Sequence, residues 1–229
     1  MSPKSSPIAM PENPERLVRD RDAEVTAIIR CRVYGLYSAL VASPHEADLE
    51  QQLQDASEVL DTQPYGIDLD ALAGAYLKYP RAQRKLEYSQ LFEVGDQGPP
   101  IAVREQQQFS DLAGVRENLL RFYDFFGYTL HDRSAWAPDH LSVLLEFCGL
   151  LCYRESTVAE DRLSFQLAQS DFVSRHLLHW VPVLAERTGI VASNSIYSEV
   201  ALSLNDFVTQ DYAWQASTIV TTDKSDDHE

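Results

Sequence analysis

The stretch that decides the fold lies at residues 137–155 and reads APDHLSVLLEFCGLLCYRE. Its apolar residues recur at spacings of three and four along one helical face: Leu141, Leu144, Leu145, Cys148 and Cys152. A helix that is apolar on most of its other sides as well is typical of the middle of a bundle. We expect this helix to start near Pro138, because proline suits a first helical turn, and to run to about residue 155. The apolar run is too short, and with Glu146 too polar, to insert into a membrane.

Helical periodicity continues on both sides of this stretch, and no sustained alternation typical of strands is present in the sequence. Apolar spacing and Gly or Pro breaks predict further helices at 16–41, 46–60, 69–79, 81–92, 112–126, 158–169, 171–187 and 196–214. Gly127 is a natural helix stop, and Pro182 predicts a kink. The first helix should bury one face, formed by Val25, Ile29, Val33, Leu36 and Leu40. The pattern therefore predicts an all-α fold.

The two ends of the chain differ in composition from the rest. Residues 1–14 are rich in Pro and Ser and have no apolar core, so we expect a disordered segment and not a signal peptide. The polar, acidic composition of residues 221–229 predicts a disordered tail. The folded part is therefore expected to be one domain spanning 15–220, in a protein that stays in the cytoplasm.

The composition limits the choice of partner. Asp and Glu number 35 against 19 Lys and Arg, which gives a net charge of −16. Such a surface repels phosphate backbones, so nucleic acid is a poor partner and a basic polypeptide a better one, although solubility alone also explains the charge. The three cysteines are odd in number and sit among apolar residues, which indicates reduced, buried thiols. No compact His/Cys cluster predicts a metal site.

Five motifs occur in order along the chain. They are Glu-Tyr-Ser-Gln-Leu-Phe at 87–92, a Gly-Pro loop at 95–100 that leads to Arg104 and Glu105, Ala-Pro-Asp-His-Leu at 137–141 continuing to Leu-Glu-Phe at 145–147, Phe-x-x-x-His-Leu-x-x-Trp-x-Pro at 172–182, and Tyr197. This ordered set resembles the TorD/DmsD/NarJ family of redox-enzyme maturation chaperones over roughly residues 25–212. The aromatic-rich context is most similar to the delta-subunit-like chaperones of dimethylsulfide, ethylbenzene, selenate and chlorate molybdoenzymes.

The resemblance implies a single-domain, TorD-like bundle of about ten helices that is not an enzyme and carries no cofactor. It implies a cytoplasmic chaperone that binds the twin-arginine leader, the apo catalytic subunit, or both, of an exported molybdenum enzyme, and that assists cofactor insertion and assembly before export. A monomer, or a weak or domain-swapped dimer, is expected. Members often show a Pro-x-Glu-Ser type signature after the Gly-Pro loop. This chain departs from it with Ala-Val-Arg-Glu-Gln at 102–106, which puts the role of Glu105 in question.

A leader with two arginines needs carboxylates for its guanidinium groups and apolar surface for the residues that follow. Asp139 and Glu146 lie seven residues apart, so they would share the one polar stripe of the central helix. Each also has a purely structural alternative. Asp139 would be a first-turn acid that the helix dipole favours, and Glu146 would be a carboxylate whose hydrogen bonds are satisfied inside the bundle. His140 is either a hydrogen-bonding contact or a packed histidine.

Aromatic side chains complete the predicted site, as candidates to line an apolar groove. Core packing is the alternative for them, most of all for Phe92. With Glu105 added from the resemblance, the predicted peptide-binding residues are Tyr88, Phe92, Glu105, Trp136, Asp139, His140 and Glu146.

Two other functions stay open at this point. One is an all-helical regulatory or ligand-sensing domain, and the other is a hydrolase that uses Asp139, His140 and Glu146 as acid–base groups. No nucleophile elbow, phosphate-binding loop or zinc-protease motif supports catalysis. His176 and His179 are three residues apart on one predicted helix, but no third ligand is evident, which favours packing over a metal pair.

Overall fold

The computed structural model describes residues 21, 23–45, 67–95, 98–108, 114–130 and 137–219. Within these ranges the chain forms nine α-helices and no strand: α1 (Ala23–Val41), α2 (Leu69–Lys78), α3 (Arg81–Tyr88), α4 (Glu105–Gln108), α5 (Val115–Phe125), α6 (Leu141–Thr157), α7 (Arg162–His176), α8 (Val181–Val191) and α9 (Ile196–Thr218). A π-helical turn, Ser89–Glu93, follows α3, and a short 3-10 helix, Ala159–Asp161, precedes α7. The all-α prediction is confirmed. The predicted terminal segments and the helix at 46–60 lie outside the described residues, as does Trp136.

The central position predicted for α6 is confirmed. This helix packs between α1 and α7, while α9 contacts α1, α2, α7 and α8. Gly149 lets α1 approach α6 closely, because a Cβ placed there would lie 3.4 Å from the Cys31 carbonyl oxygen and 3.6 Å from the Tyr34 Cβ. A Cβ would therefore just touch α1, and there is no room at this point for a larger side chain.

Helix α1 buries most of the face that its spacing predicts. Ile29, Val33, Leu36 and Leu40 are all buried, but Val25 is 53% exposed. The prediction for Val25 is wrong because the buried face at this end of α1 is set by other positions, Ala27 and Arg30. A buried arginine is not expected from hydrophobic spacing, so the apolar pattern alone misplaces this end of the helix.

The start of α6 also differs from the prediction. Pro138 and Asp139 form a turn ahead of the helix, and His140 is its N-cap, with extended backbone angles. The His140 ring nitrogen Nδ1 accepts a hydrogen bond from the backbone N–H of Ser142. Proline therefore shapes the approach to the helix and not its first turn, and Asp139 is not a first-turn acid.

Residues 158–191 divide differently from the prediction. Helix α7 is continuous through residues 169–171 and ends at His176, and α8 begins at Val181 with Pro182 in its first turn. The expected kink at Pro182 is wrong, because a proline in a first turn breaks no hydrogen bond. The Trp180 indole N–H donates to the His176 carbonyl oxygen at 2.6 Å and so satisfies an acceptor at the end of α7. Helix α8 then runs past Thr188 and Gly189, where an end was predicted, and α9 extends to Thr218.

Two smaller predictions concern a glycine and the cysteines. Gly127 follows α5 with a φ of 66°, which confirms it as a helix stop. All three cysteines are free; Cys148 and Cys152 are buried, whereas Cys31 is partly exposed. Burial raises the pKa of each thiol, well above its ordinary value for Cys148 and Cys152.

Candidate peptide-binding site

The segment after the Gly-Pro loop is tied by backbone hydrogen bonds to the start of α6. Arg104 and His140 form an isolated antiparallel bridge. The Glu105 N–H donates to the Asp139 carbonyl oxygen at 3.0 Å, and the Leu141 N–H donates to the Val103 carbonyl oxygen at 2.9 Å. We call residues 103–106 and 138–141 the Arg104–Asp139 junction. It brings two of the sequence motifs into one place.

The carboxylate of Asp139 is buried in this junction and already has partners. Asp139 is 1% exposed. Its Oδ1 accepts hydrogen bonds from Arg104 Nε at 3.1 Å and Nη2 at 2.9 Å, and its Oδ2 accepts from the Gln106 N–H at 3.2 Å. The Arg104 side chain is 24% exposed. Asp139 is therefore closed to solvent, whereas the side chain of its partner Arg104 keeps some contact with water.

His140 lies beside this pair and is uncharged at neutral pH. Burial lowers its pKa to about 4, and the nearby Arg104 guanidinium acts in the same direction, against the carboxylates of Asp139 and Glu93. Its Nδ1 lies 2.8 Å from the Ser142 hydroxyl, and its Nε2 lies 3.4 Å from the Tyr88 hydroxyl. His140 therefore serves as a neutral hydrogen-bonding group and not as a second cation.

The predicted aromatic residues Tyr88 and Phe92 belong to a packed cluster. Their ring centroids lie 5.0 Å apart, and both contact Tyr197 edge-on, at 5.7 Å and 5.5 Å. Tyr88 is 2% exposed and Phe92 is 9% exposed. The structure thus joins Tyr88 and Phe92 to His140, with only the edge of this cluster near the surface.

Glu105 is buried within the junction. It contacts two histidines: His176 at the end of α7, and His179 in the turn that follows this helix. Its carboxylate lies 3.0 Å from His176 Nδ1 and 3.5 Å from His179 Nε2. Burial lowers the pKa of His179, which outweighs the opposite effect of Glu105. The spacing of the two histidines in the sequence indicated that they could act together. Their partner Glu105 is far away in the chain and is brought to them only by the fold. Across the described ranges, no group of three or more His, Cys, Asp or Glu residues is arranged to bind a metal ion.

Glu146 lies apart from the other predicted residues. It is exposed on α6, and it contacts the Tyr128 hydroxyl, whose pKa is raised by burial and by this carboxylate. The polar stripe that Glu146 was predicted to share with Asp139 does not exist, because Asp139 precedes the helix. Trp136 lies outside the described residues, so its place in the site stays a prediction.

Sequence reasoning missed a buried charged network at the opposite end of α6. Arg30, Glu155 and Asp211 are each fully buried and linked by ion pairs. The sequence gives no local signal for it, because the three residues lie on α1, α6 and α9 and meet only in the folded bundle.

The fold is that of the redox-enzyme maturation proteins. It matches the crystal structure of a candidate redox enzyme maturation protein from Archaeoglobus fulgidus with a TM-score of 0.51 over 78% of this chain and 93% of that one. The identity is 19%, so this likeness concerns the fold alone. A family model described as nitrate reductase delta subunit matches residues 47–186. The chain therefore belongs to this family, the TorD/DmsD/NarJ group whose motifs the sequence contains.

Curated relatives support the same assignment. The chain is 35% identical to the selenate reductase assembly chaperone of Thauera selenatis over 53% of this chain and 65% of that protein. It is 33% identical to the chlorate reductase assembly chaperone of Ideonella dechloratans over 56% of this chain and 68% of that protein. The matches thus span about two thirds of the length of these relatives. Because the members are assembly chaperones and not catalysts, the chain is not an enzyme. Among the described helices, none is both long and apolar enough to cross a membrane.

Proposed function

We propose that this chain is a cytoplasmic chaperone that binds the twin-arginine leader, the apo catalytic subunit, or both, of an exported molybdenum enzyme and assists its assembly before export. The named relatives are assembly chaperones of selenate and chlorate reductases, which supports a client of this class. The observation that carries the proposal is the Arg104–Asp139 pair, a guanidinium bound to a buried carboxylate at the edge of the surface.

The geometry of this pair supports a binding site for an arginine from a partner. Arg–carboxylate pairs form short, charge-assisted hydrogen bonds with fixed orientation. Asp139 already has this interaction with Arg104, whose side chain keeps some contact with water. In the proposed mechanism an arginine of the leader replaces Arg104 on Asp139. Because one ion pair replaces another, the exchange itself contributes little net free energy. Together with the apolar residues of the leader that are buried beside it, an affinity near the micromolar range, about −8 kcal/mol, is expected.

The other predicted residues have distinct places in this proposal. His140, with Tyr88 and Phe92 behind it, forms the apolar side of the site next to Asp139. Glu105 positions the segment that carries Arg104 through its contact with His176. Glu146 is exposed elsewhere on α6 and would contact a more distant part of the client. Trp136 is proposed to contact the apolar part of the leader.

The test is calorimetric titration of a twin-arginine leader peptide, and of its Lys-Lys version, into wild type and three variants. Asp139→Asn should weaken binding about tenfold, or ~1.4 kcal/mol, because the charged acceptor is removed. Arg104→Ala should strengthen binding several-fold, because the competing guanidinium is gone. Asp124→Asn is the matched control, since Asp124 is an exposed acid on α5, and it should change affinity less than twofold.

Two outcomes would contradict this assignment. If Asp139→Asn and Asp124→Asn behave alike, Asp139 has only a structural role. If no variant and no wild-type protein binds the leader, leader recognition itself is wrong, and binding to the folded body of the client is then tested by co-purification from the native host. Mass spectrometry of the captured proteins should find a molybdenum-dependent catalytic subunit, and its absence would remove the proposed client.

A further inference from the structure

A second buried carboxylate lies at the other end of α6. Glu155 is in the last turn of the helix, about 21 Å along its axis from Leu141 at a rise of 1.5 Å per residue. Its side chain is fully buried. The amides of Gln166 and Gln169 on α7 each donate to it, one to each carboxylate oxygen, both at 2.9 Å. The carboxylate is therefore fixed in orientation by α7.

The surroundings of Glu155 carry an excess of negative charge. Arg30 on α1 donates to Asp211 on α9 at 2.6 Å and 3.0 Å, and its Nη1 reaches Glu155 at 3.3 Å. Tyr34 and Gln215 also donate to Asp211. Two buried carboxylates thus both contact the guanidinium of Arg30. A buried carboxylate is costly unless it is paired, so Glu155 favours contact with a further cation.

Arg21 supplies that cation from outside the helices. Its Nε and Nη2 donate to the two oxygens of Glu155 at 2.8 Å and 3.1 Å, and its Nη1 donates to the Thr218 hydroxyl at 3.0 Å. The guanidinium carbon lies 4.9 Å from the centroid of the Trp214 ring. A bidentate carboxylate, a third acceptor and an aromatic face match a guanidinium in every respect, and an ammonium group could not satisfy all of them.

The groups that receive Arg21 are held by the bundle itself. Glu155 is on α6, its two glutamines are on α7, and Thr218 and Trp214 are on α9. Arg21 precedes α1, and its guanidinium reaches the site through hydrogen bonds to Glu155 and Thr218. Arg162 also lies close by, and its Nε donates to the backbone carbonyl of Glu155. We call Glu155, Gln166, Gln169, Trp214 and Thr218 the Glu155 site.

We propose that the Glu155 site is a guanidinium-binding site, occupied in cis by Arg21, which accepts an arginine side chain from another molecule in exchange. The site lies at the opposite end of α6 from Asp139, so it goes beyond the leader site proposed above and does not depend on it. The ligand chemistry is that of an arginine side chain. Free arginine and an arginine within a polypeptide both supply it, and the experiment separates these two sources.

The experiment measures binding of small probes to the full chain by calorimetry. The probes are N-acetyl-arginine amide and N-acetyl-lysine amide, and the proteins are wild type, Arg21→Ala and the double variant Arg21→Ala/Glu155→Gln. Arg21→Ala should bind the arginine probe at least tenfold more tightly than wild type, because the competing side chain is absent. The lysine probe should bind neither protein, and the double variant should lose the gain.

A peptide arm identifies the source of the arginine. An arginine-containing peptide that binds Arg21→Ala more than tenfold tighter than the single-residue probe supports a polypeptide ligand. If the peptide and the single-residue arginine probe bind with equal affinity, the site recognises a single arginine and no further part of a polypeptide. Trp214 fluorescence should respond to both ligands in Arg21→Ala, because the guanidinium lies over its ring, and Trp214→Phe should abolish that response.

Arg21→Lys keeps the test decisive if Arg21→Ala does not fold, as judged by circular dichroism. The ammonium of lysine makes a point contact and not a bidentate pair, so this variant should bind the arginine probe several-fold better than wild type. The proposal is overturned if the folded Arg21 variant binds the arginine probe no better than wild type, or if the lysine probe binds equally well.

Discussion

The two ends of α6 use the same interaction in different surroundings. At the start of the helix, Asp139 pairs with Arg104, whose side chain is 24% exposed. Near its end, Glu155 and Asp211 pair with Arg30, whose side chain is 1% exposed. The comparison teaches that an arginine enclosed between helices, as Arg30 is, stabilises the fold, whereas an arginine outside the helices, as Arg104 and Arg21 are, can give up its carboxylate to another guanidinium. A buried pair is costly to break, because the remaining charge has no water to solvate it.

Removing Arg30 should therefore have the largest effect on stability. Arg30→Ala leaves two buried carboxylates with Arg21 as their remaining cation, and we expect the free energy of unfolding to fall by about 3–5 kcal/mol. Urea denaturation followed by circular dichroism measures this. A loss below about 1 kcal/mol would show that water reaches the network and that the contrast between the two ends is wrong.

Asp139→Asn should destabilise the protein less. The variant weakens the hydrogen bonds from Arg104 and from the Gln106 N–H, but Arg104 can turn its charge to solvent. We expect a loss of about 2 kcal/mol in the free energy of unfolding, in the usual range for hydrogen bonds to a charged group. The same urea experiment applies. If Asp139→Asn lowers the free energy of unfolding as much as Arg30→Ala does, the Arg104–Asp139 junction is as closed to water as the buried network of Arg30, and the contrast between the two ends is wrong.

Acid should affect the two ends in different pH ranges. The pKa of His140 is lowered by burial to about 4, against about 6.5 when unfolded, so the unfolded chain binds the proton first. Stability from neutral His140 is complete above pH 6.5 and falls as the pH drops toward 4. Between pH 7 and pH 5.5 we expect the free energy of unfolding to fall by at most about 1.4 kcal/mol. This value is an upper limit, because the ring keeps some contact with solvent.

The network at the end of α6 should respond only at lower pH. Burial works to raise the pKa of Glu155, but the hydrogen bond from Arg21 and the charge of Arg30 lower it below its ordinary value. The contribution of Glu155 to stability is present above about pH 4.5 and is lost as the pH falls through the folded pKa.

The matched variant for the His140 prediction is His140→Asn, which keeps an N-cap acceptor without a titrating ring. It should reduce the loss between pH 7 and pH 5.5, with a smaller residual from His179. An unchanged loss would exclude His140 as its source.

The smallest effect is expected from an ion pair with no burial. Arg175 and Asp171 form an i,i+4 pair on α7 with side chains 62% and 43% exposed. Arg175→Ala should change the free energy of unfolding by less than about 0.5 kcal/mol, because water and salt screen the pair. This variant sets the baseline for the other substitutions. A change comparable to that of Asp139→Asn would show that exposure does not rank these pairs.

The sequence was sufficient for the helices whose apolar spacing is regular. The central helix, its neighbours and the stop at Gly127 follow from local patterns, since each depends on residues close in the chain. The start of α6 and the break between α7 and α8 were misplaced, because a proline in the sequence does not say whether it precedes a helix, opens it or bends it. Those choices depend on tertiary contacts such as the hydrogen bonds from Leu141 to Val103 and from Trp180 to His176.

The candidate site was predictable only in part for the same reason. The motif around Asp139 pointed to the correct segment, but its partner Arg104 lies 35 residues away in the chain. The role of Glu105 could not be read from its neighbours, because its histidine partner is 71 residues away. The buried network of Arg30, Glu155 and Asp211 left no pattern at all, since a buried arginine within a helix, such as Arg30, looks in the sequence like a solvent-facing one.

The link between Arg30 and Asp211 joins positions 181 residues apart, and this has a consequence for biosynthesis. On the ribosome α1 emerges before α9, so Arg30 cannot pair with Asp211 until the 181 residues that separate them have been made. The earlier helices can collapse on one another, but a growing chain without α9 exposes the apolar surface of α1 and α7 that α9 later covers. A translation product that stops before α9 should therefore remain open to proteases, and completion of the last helix should mark the moment at which the nascent chain becomes resistant.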